Sequence, residues 1–321
     1  MVAPPVKQEV NRPCFVCGAD RSAEAFRPDV GKWGYPGEFV LRRCAVCGLV
    51  FNSPRLSPMA LADLYGRNYY FFDRRPAAEL DRIVGAYLRT VALLPERRAG
   101  TLLEVGSAKG YMLALLRGLG WRVTGVELAE EAAAFARRVF GVEVFTGTLE
   151  LFRQVEDRRF DVVLAQDLLE HVPDPGAFLL GLRECLDPGG RLVIDTPNVG
   201  ARNVEILGPR WRGFNPFHIY LYDRVSLERA LTGAGFSVHT IGSYNNVGVE
   251  ESATLSGRST DRARAVAGLR RAAGAARGRV ETALLPLHLR RAVDRARKGT
   301  PVQLDPDCAG DNLVCIAARS S

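Results

Sequence analysis

The sequence predicts an α/β protein, in which a parallel sheet with helices on both faces follows a small β-rich metal-binding module. Strand and helix patterns alternate from Thr101 onward, which is typical of a parallel sheet. Four of the seven cysteines form two tight pairs near the start of the chain. The 321 residues are 47% apolar, so the chain can bury a substantial core.

The segment 1–56 contains many turn residues and short apolar runs, which favour a small β-rich module. Its cysteines form two Cys-x-x-Cys knuckles, each followed by glycine: Cys14 with Cys17, and Cys44 with Cys47. Two residues between thiolates let both sulfurs face one tetrahedral ion, and four soft ligands select zinc in a closed, structural site. A rubredoxin-like iron centre and reactive thiols are the competing interpretations.

The rest of the chain divides into four predicted segments. Residues 57–98 form a helical cap, in which Glu79 to Leu94 has the apolar spacing of an amphipathic helix. Residues 99–250 form the α/β domain, and residues 301–321 supply a final strand, Asn312–Ala317, that completes the sheet. The other predicted strands are Leu102–Val105, Arg122–Val126, Glu143–Phe145, Phe160–Ala165, Arg191–Asp195 and Phe236–Ile241. Helices are predicted after Gly110, Ala129, Pro175 and Asp223.

The remaining segment, 251–300, is a basic helical insertion. The net charge is +7, and residues 258–298 hold twelve basic and three acidic residues, a local +9 that leaves −2 for the rest. Arg262–Arg279 predicts a basic amphipathic helix, which Pro286 interrupts and Leu287–Lys298 resumes. This insertion either packs on its own domain or binds an acidic partner, such as a nucleotide-linked sugar, an acyl-carrier protein, an anionic membrane surface or RNA.

The sequence indicates a soluble, cytoplasmic protein. The first residues contain no apolar run that could act as a signal peptide, and no stretch approaches the roughly 18 apolar residues of a spanning helix. An odd number of cysteines without a secretion signal argues against a disulfide framework.

The stretch from Leu103 to Leu113, LEVGSAKGYML, predicts a strand that enters a glycine turn and then a helix. The dinucleotide fingerprint requires glycine at positions 106, 108 and 111, and only Gly106 meets it. A second pattern, acidic-x-Gly-x-Gly-x-Gly, is met by Glu104, Gly106 and Gly110 and misses only the middle glycine, where the chain has Ala108.

The second pattern resembles that of the class I S-adenosylmethionine (SAM) methyltransferases. Residues 160–175, FDVVLAQDLLEHVPDP, closely resemble the fourth strand and following loop of that family, and residues 186–194, LDPGGRLVI, resemble its fifth-strand entry. The resemblance covers roughly residues 60–245. It implies a Rossmann-like, seven-stranded class I methyltransferase sheet behind a zinc-ribbon-like module, with SAM as the cofactor.

The resemblance also implies which residues bind SAM. Glu127 would bind both ribose hydroxyls, because one carboxylate can accept two hydrogen bonds from a cis-diol. The other implied contacts are Glu104, Gly106, Ser107, Ala108 and Gly110 at the methionine part, Leu128, Gly147 and Thr148 at the adenine, and Gln166 and Asp167 beside the sulfonium.

The four-cysteine module joined to this domain is similar to the sugar C-methyltransferases of bacterial secondary metabolism. In those, a tyrosine-rich stretch and a Glu-His pair after the fifth strand surround the substrate. Tyr69 or Tyr70 and His218 match this arrangement, and Phe217 stands where the glutamate would be. The resemblance implies His218 as general base and Tyr70 beside the acceptor. His171 follows the fourth predicted strand, so it either faces the acceptor as a second candidate base or packs at the start of a helix.

The favoured function is therefore methyl transfer to a C or O atom of a small-molecule or carrier-linked acceptor, such as an anionic nucleotide-sugar or secondary metabolite. An RNA base methyltransferase is one alternative, because some of those also carry a cysteine-rich zinc module. RNA is disfavoured because residues 258–298 contain no aromatic side chain on which a base could stack. A non-catalytic SAM-binding protein is the other alternative.

Overall fold

The computed structural model describes residues 8–9, 13–57, 59–61, 63–64, 76–94, 100–245, 267–299 and 302–320. The chain divides into two compact units. The glycine-turn unit comprises residues 70–155 and 250–303, and the cysteine unit comprises residues 1–69, 156–249 and 304–321. The five segments expected from the sequence follow other boundaries and stay a prediction.

The strands are β1 (Gln8–Glu9), β2 (Ser22–Phe26), β3 (Leu41–Cys44), β4 (Val50–Asn52), β5 (Arg55–Leu56), β6 (Thr101–Val105), β7 (Arg122–Glu127), β8 (Glu143–Thr146), β9 (Phe160–Gln166), β10 (Leu186–Pro197), β11 (Tyr220–Leu221), β12 (Phe236–Tyr244) and β13 (Asn312–Arg319). The α-helices are α1 (Pro76–Leu93), α2 (Tyr111–Gly118), α3 (Glu130–Phe140), α4 (Leu149–Val155), α5 (Pro175–Glu184), α6 (Arg202–Leu207), α7 (Arg224–Gly233) and α8 (Ala267–Arg297). Short 3-10 turns lie at Gly31–Trp33, Leu169–His171 and Gly208–Arg210.

The glycine-turn unit has the alternating strand and helix order that the sequence predicts. Its strands β6, β7 and β8 are parallel, and β7 pairs with both of the others. Helix α2 follows β6 directly, and its residues 111–116 are all buried, which accounts for the unbroken apolar run after the turn. The order β6, α2, β7, α3, β8 brings the carboxyl ends of the strands to one edge.

The cysteine unit contains β9, β10, β13 and β12 as neighbouring strands. Strands β9 and β10 are parallel, whereas β13 runs antiparallel to both β10 and β12. The prediction of a purely parallel sheet is therefore wrong for the last strand, β13, which is antiparallel to its neighbours. Together with β6, β7 and β8, these strands make up a seven-stranded mixed sheet, and the predicted class I methyltransferase fold is confirmed.

A separate antiparallel sheet organises the N-terminal module, with the strand order β11, β4, β3, β2. Its strand β11 comes from far along the chain, and it pairs Tyr220 with Phe51 and Leu221 with Val50. Behind this sheet lies an apolar cluster that includes the fully buried Leu41 and Leu221. The module is thus packed against the segment that follows the fifth central strand, within one unit.

The basic insertion differs from the expectation at one residue. Pro286 lies inside the single helix α8, so it does not interrupt the helix as predicted. Buried Leu285 and Ala292 lie on the same helix as the exposed Leu284 and Leu287, and α8 packs against α1 and α2 of its own unit. Residues 251–266 and 300 of the predicted segment lie outside the described residues. Among the described helices, none combines the length and hydropathy of a membrane-spanning segment.

Helix α7 begins at a capping box, which we expect to contribute measurably to stability. The Asp223 side chain accepts from Ser226 N at 2.8 Å, and the Ser226 hydroxyl accepts from Asp223 N at 3.0 Å. Asp223→Ala should destabilise the protein by about 1 kcal/mol. Thermal and urea unfolding would measure this loss, with Glu228→Ala as the control on the exposed face of the same helix. Equal midpoints for the two variants would contradict the role of the cap.

Candidate active site

The glycine turn between β6 and α2 is held by hydrogen bonds to the neighbouring strand. The amides of Gly106 and Ser107 both donate to Val126 O, at 2.8 and 3.1 Å, and Gly110 N donates to Ser107 O at 2.8 Å. Gly106 and Gly110 adopt φ angles of 78° and 73°, which favour glycine. A Cβ on Gly110 would lie 2.7 Å from Ala136 Cβ, so this glycine is also required for the packing of α3.

Ala108 also adopts a left-handed conformation, with φ of 45°. An alanine at a positive φ places its Cβ close to the following carbonyl oxygen, so the alanine that replaces the usual glycine stores strain of about 1 kcal/mol in the turn. The left-handed conformation of Ala108 accompanies a hydrogen bond that its amide donates to Glu127 Oε2, at 2.8 Å.

Glu127 lies at the end of β7 with 7% of its surface exposed. Its second oxygen, Oε1, accepts from Ala129 N at 2.8 Å, so two backbone amides fix the carboxylate. Each carboxylate oxygen can accept a further hydrogen bond, which fits the cis-diol of a ribose. Leu128, the next residue, is 72% exposed, so an apolar side chain is open to a ligand beside the carboxylate.

Two buried polar atoms in the turn fit a polar ligand. Glu104 is 5% exposed, and its Oε2 has no hydrogen-bond partner among the described residues; the same holds for Ser107 Oγ. Burial raises the pKa of Glu104 well above its usual range, and the nearby Glu127 charge adds to this. Buried polar groups without partners are rare, and a cationic or donor-rich ligand such as the methionine part of SAM would satisfy them.

Gly147 and Thr148 follow β8, as predicted, and both have structural tasks there. Gly147 N donates to Glu127 O at 2.9 Å. The Thr148 hydroxyl accepts from Leu151 N at 3.2 Å in the first turn of α4. The hydroxyl oxygen of Thr148 therefore caps a helix. Its hydroxyl proton can still be donated to an adenine nitrogen.

Gln166 and Asp167 lie at the end of β9, in the cysteine unit. Asp167 adopts φ of 45°, and its amide donates to Asp195 O at 2.9 Å. Asn312 Nδ2 lies 2.9 Å from Asp195 Oδ1 and 3.3 Å from Asp167 Oδ1, so this amide links two acids from neighbouring strand ends. Tyr244 OH donates to Asp195 Oδ2 on the other side. The sequence did not reveal Asp195, Tyr244 or Asn312 as parts of this group.

The two predicted histidines meet in the same unit. His171 ends the turn Leu169–His171, His218 precedes β11, and their rings are 4.7 Å apart in an edge-to-face arrangement. Glu170 lies between them: its Oε1 is 3.7 Å from His171 Nε2 and 3.9 Å from His218 Nε2. Position 217 is a phenylalanine, and the carboxylate beside His218 comes from Glu170.

Backbone carbonyls orient both rings. His171 Nδ1 lies 2.9 Å from Phe217 O and His218 Nδ1 lies 2.7 Å from Gly213 O. A carbonyl can only accept, so both Nδ1 atoms carry a proton and both neutral rings have their lone pair on Nε2. Asn215 Nδ2 donates to His218 Nε2 at 2.9 Å, so the predicted base is already hydrogen-bonded at both ring nitrogens.

Burial governs the protonation of this cluster. It lowers the pKa of His171 to about 4 and lowers the pKa of His218 well below its usual range, with the neighbouring His171 as a second cause for His218. Burial also raises the pKa of Glu170 well above its usual range, and the charge of Asp167 adds to this. Both imidazoles are thus neutral near pH 7.

A small, shallow cleft lies beside these residues in the cysteine unit. Pro173, Pro216 and Ile219 line it, and each is one or two residues from a cluster histidine. Arg55 and Asn52 of the N-terminal module also line it. Tyr70, the third predicted catalytic residue, and its neighbour Tyr69 lie outside the described residues.

The four predicted metal ligands come together at one point. The Sγ atoms of Cys14, Cys17, Cys44 and Cys47 all lie within 4.8 Å of one another, with Cys14 and Cys47 at 3.4 Å. The glycines after both knuckles have positive φ, and Gly18 N and Gly48 N close tight turns on Cys14 O and Cys44 O. Val46 N lies 3.4 Å from Cys44 Sγ, an amide contact of the kind that stabilises a thiolate. This donor set fits one tetrahedral ion with no open position.

The fold and the glycine turn with Glu127 define a Rossmann-like nucleotide-binding protein. Residues 72–241 match the family described as "Methyltransferase domain", which is more than half of the chain. The chain belongs to this methyltransferase family, and membership supports SAM as its cofactor. The predicted methyltransferase class is thereby confirmed.

Curated relatives are similar over part of the chain. The ubiquinone biosynthesis O-methyltransferase of Xanthomonas oryzae pv. oryzae is 34% identical over 125 residues, which are 34% of this chain and 52% of that protein. The protein of the same name from Cereibacter sphaeroides is 33% identical over 141 residues, 42% of this chain and 54% of that protein. The chain thus spans about half the length of these relatives.

Among solved structures, geranyl diphosphate C-methyltransferase of Streptomyces coelicolor A3(2) matches with a TM-score of 0.47 and 17% identity, over 75% of this chain and 81% of that one. A SAM-dependent methyltransferase of Archaeoglobus fulgidus matches with a TM-score of 0.44 and 19% identity, over 78% and 99%.

Ala108 offers a test of the strained turn. Ala108→Gly removes the positive-φ penalty and keeps the amide that donates to Glu127, so the melting temperature should rise or stay unchanged. The affinity for S-adenosylhomocysteine (SAH) should change by no more than a few-fold. In contrast, Ala134→Gly, the same change inside α3, should cost about 1 kcal/mol. Thermal unfolding and calorimetric titration measure both quantities, and equal destabilisation by the two variants would exclude strain at Ala108.

Proposed function

We propose that the protein is an enzyme that transfers the methyl group of SAM to a C or O atom of a small-molecule or carrier-linked acceptor. One observation carries the cofactor side: Glu127 is fixed by two amides beside a turn in which Glu104 Oε2 is buried without a partner among the described residues. Family membership and O-methyltransferase relatives support the same reaction.

In this proposal the glycine-turn unit binds SAM. Glu127 binds the ribose hydroxyls, Glu104 and Ser107 face the methionine part, and Leu128 contacts the adenine. Gly147 and Thr148 border the adenine edge, and the expectation that Gln166 and Asp167 contact the sulfonium stays a prediction. When bound, SAM supplies an electrophilic methyl group, and the residues around it orient it and exclude water.

The cysteine unit acts on the acceptor. The cluster of Glu170, His171 and His218 is buried, neutral at its imidazoles and next to the cleft that Arg55 lines. A cationic side chain at that cleft favours an anionic acceptor. Both ring nitrogens of His218 are hydrogen-bonded, so His218 serves as a positioning residue. The side chain of His171 is the more exposed of the two, at 24% against 10%, and it is the candidate to touch the acceptor.

The four cysteines, we propose, hold a structural zinc ion. The ion would fix the two knuckles, and Phe15 of the first knuckle contacts Tyr220 of β11 at a ring distance of 5.0 Å. Zinc thereby stabilises the sheet that carries the acceptor segment and takes no part in the chemistry. The acidic partner expected for residues 258–298, which include the basic helix α8, stays a prediction.

The proposed reaction is tested by incubating the protein with SAM labelled in its methyl group and with nucleotide-sugars and phenolic acids as acceptors. We expect label in one acceptor class and stoichiometric SAH. SAM binding without transfer to any acceptor would favour a non-catalytic SAM-binding protein. Transfer to RNA alone would show that the acceptor is RNA and not a small molecule.

The cofactor assignment predicts a specific loss of affinity. Glu127→Gln keeps the size of the side chain and removes the charge that accepts from the ribose, so SAH should bind about 10- to 100-fold more weakly. Glu131→Gln, an exposed acid in the next helix, should bind SAH normally. Calorimetric titration measures both, and an unchanged affinity of Glu127→Gln would remove this residue from the site.

The zinc assignment predicts one bound zinc ion per chain in the purified protein. Cys44→Ser should lose that ion and lower the thermal stability by several degrees, because the knuckles are then held only by the small sheet. Cys308→Ser, which changes a cysteine outside the cluster, should keep its zinc. Elemental analysis measures the metal, and a Cys44→Ser protein with full zinc content would contradict the assignment.

A further inference from the structure

We propose that Glu170, His171 and His218 form a second metal site, which holds a divalent cation at the acceptor position. The three ligand atoms are Glu170 Oε1 and the two Nε2 atoms, all within 4.8 Å of one another. The proposal that an ion binds here rests on this geometry alone. The role of the ion in activating the acceptor rests in addition on the proposed methyl transfer.

The distances suit a site that closes slightly around an ion. Both Nε2 atoms lie 3.7 to 3.9 Å from the carboxylate oxygen. Ligand atoms at about 2.1 Å from a tetrahedral ion lie about 3.4 Å apart, so the two distances from Glu170 Oε1 need to shorten by only a few tenths of an ångström. Two imidazoles and one carboxylate are the ligand set of zinc and of non-haem iron enzymes.

The surrounding hydrogen bonds have the pattern that protein metal sites use. Each ring donates its Nδ1 proton to a backbone carbonyl, Phe217 O or Gly213 O, which leaves the lone pair of each ring on Nε2. The other oxygen of Glu170, Oε2, accepts from the Thr196 hydroxyl at 2.9 Å. Such contacts fix the tautomer and the orientation of metal ligands.

The strongest observation is Glu170 Oε1 itself. Glu170 is fully buried, and within the described part of the chain its Oε1 has no hydrogen-bond partner. A buried carboxylate oxygen without a hydrogen-bond partner is costly, and the two imidazoles whose Nε2 atoms lie 3.7 and 3.9 Å away carry their proton on Nδ1. A cation between these three atoms would convert repulsion among lone pairs into three coordinate bonds.

One contact competes with the ion. Asn215 Nδ2 donates to His218 Nε2, and Asn215 Oδ1 accepts from Phe217 N, so the amide cannot rotate without losing a second bond. Metal binding must break the first hydrogen bond, at a cost of about 1 kcal/mol. Coordinate bonds exceed this cost, and Asn215 therefore weakens the metal affinity without preventing binding.

The site leaves coordination positions for a ligand. The Glu170 side chain is inaccessible and that of His218 is 10% exposed, whereas that of His171 is 24% exposed, so the cluster opens on the His171 side. Three protein ligands with open positions are the arrangement of catalytic sites. The acceptor class that fits is a hydroxyl-bearing small molecule whose oxygen can bind the ion.

In this arrangement the ion activates the acceptor hydroxyl. Coordination stabilises the alkoxide, so the hydroxyl proton passes to water more readily. The alkoxide oxygen then forms a bond to the methyl carbon of SAM while the carbon–sulfur bond breaks. The bonding electron pair stays on sulfur, which leaves as the neutral thioether of SAH. The products are the methyl ether, SAH and one proton.

The test is a titration of the zinc-containing protein with Mn²⁺, in which the electron paramagnetic resonance signal reports free Mn²⁺. Mn²⁺ prefers nitrogen and oxygen ligands over thiolates, so it distinguishes this site from the four cysteines. We expect one saturable site in the unmodified protein. Absence of any bound Mn²⁺, together with zinc content of no more than one ion per chain at excess zinc, would overturn the proposal.

Matched variants locate the ion. His171→Ala should abolish saturable binding, and Thr196→Val, which removes only the hydroxyl that holds Glu170, should weaken it about 10- to 100-fold. His239→Ala removes an exposed histidine of β12 and should bind Mn²⁺ like the unmodified protein. Asn215→Asp keeps the acceptor for Phe217 N, removes the competing donor and adds a negative charge beside the ion, so it should bind more tightly. A tighter complex cannot result from misfolding, and unchanged affinity in His171→Ala, Thr196→Val and Asn215→Asp would overturn the assignment of these ligands.

Failure of this inference and failure of the proposed function give different results. Full methyl transfer by metal-depleted protein that retains its structural zinc would overturn the activating role and leave the methyltransferase function intact. Saturable Mn²⁺ binding by a protein that binds neither SAM nor SAH would support the metal site and overturn the proposed reaction.

Discussion

The pairing of β4 with β11 is the interaction on which the acceptor side of this protein depends. It joins the N-terminal module, at Val50 and Phe51, to the segment that follows His218. Asn52 N donates to Ile219 O, and Ile219 N donates to Glu170 O, so one row of backbone bonds connects the module with the cluster. Because side chains on such a short strand cannot hold it alone, the module supports the geometry of the site.

Several of the candidate site residues are acidic side chains that are buried, which is energetically unfavourable for a charged group. Glu104, Glu127 and Glu170 are each at most 7% exposed, and they lie at strand ends or directly beyond them. An isolated buried charge is strongly disfavoured, and amides at Glu127 and a hydroxyl at Glu170 offset only part of that cost. The protein thus stores unfavourable electrostatics at the positions where a bound cofactor or ion would relieve them.

Much of the central fold could be predicted because local patterns and burial agree there. Each predicted strand from Leu102 to Ala317 is present, most with ends shifted by one to three residues, and β10 begins five residues earlier. The reversed direction of β13 was not predictable, because an apolar run has the same pattern in either direction. Proline at position 286 was read as a break, yet packing of α8 on α1 and α2 outweighs its local penalty.

The sequence by itself determined the glycine turn, Glu127 at the end of β7, the two cysteine knuckles and the methyltransferase class, since each depends on residues at fixed short spacing. Only the tertiary structure decided that Ala108 has a positive φ and that Glu170 lies between His171 and His218. It also decided that both rings present Nε2 to that carboxylate. His218 lies 47 positions from His171 and 48 from Glu170, and Ala108 bonds across strands to Glu127, so no local pattern records these contacts.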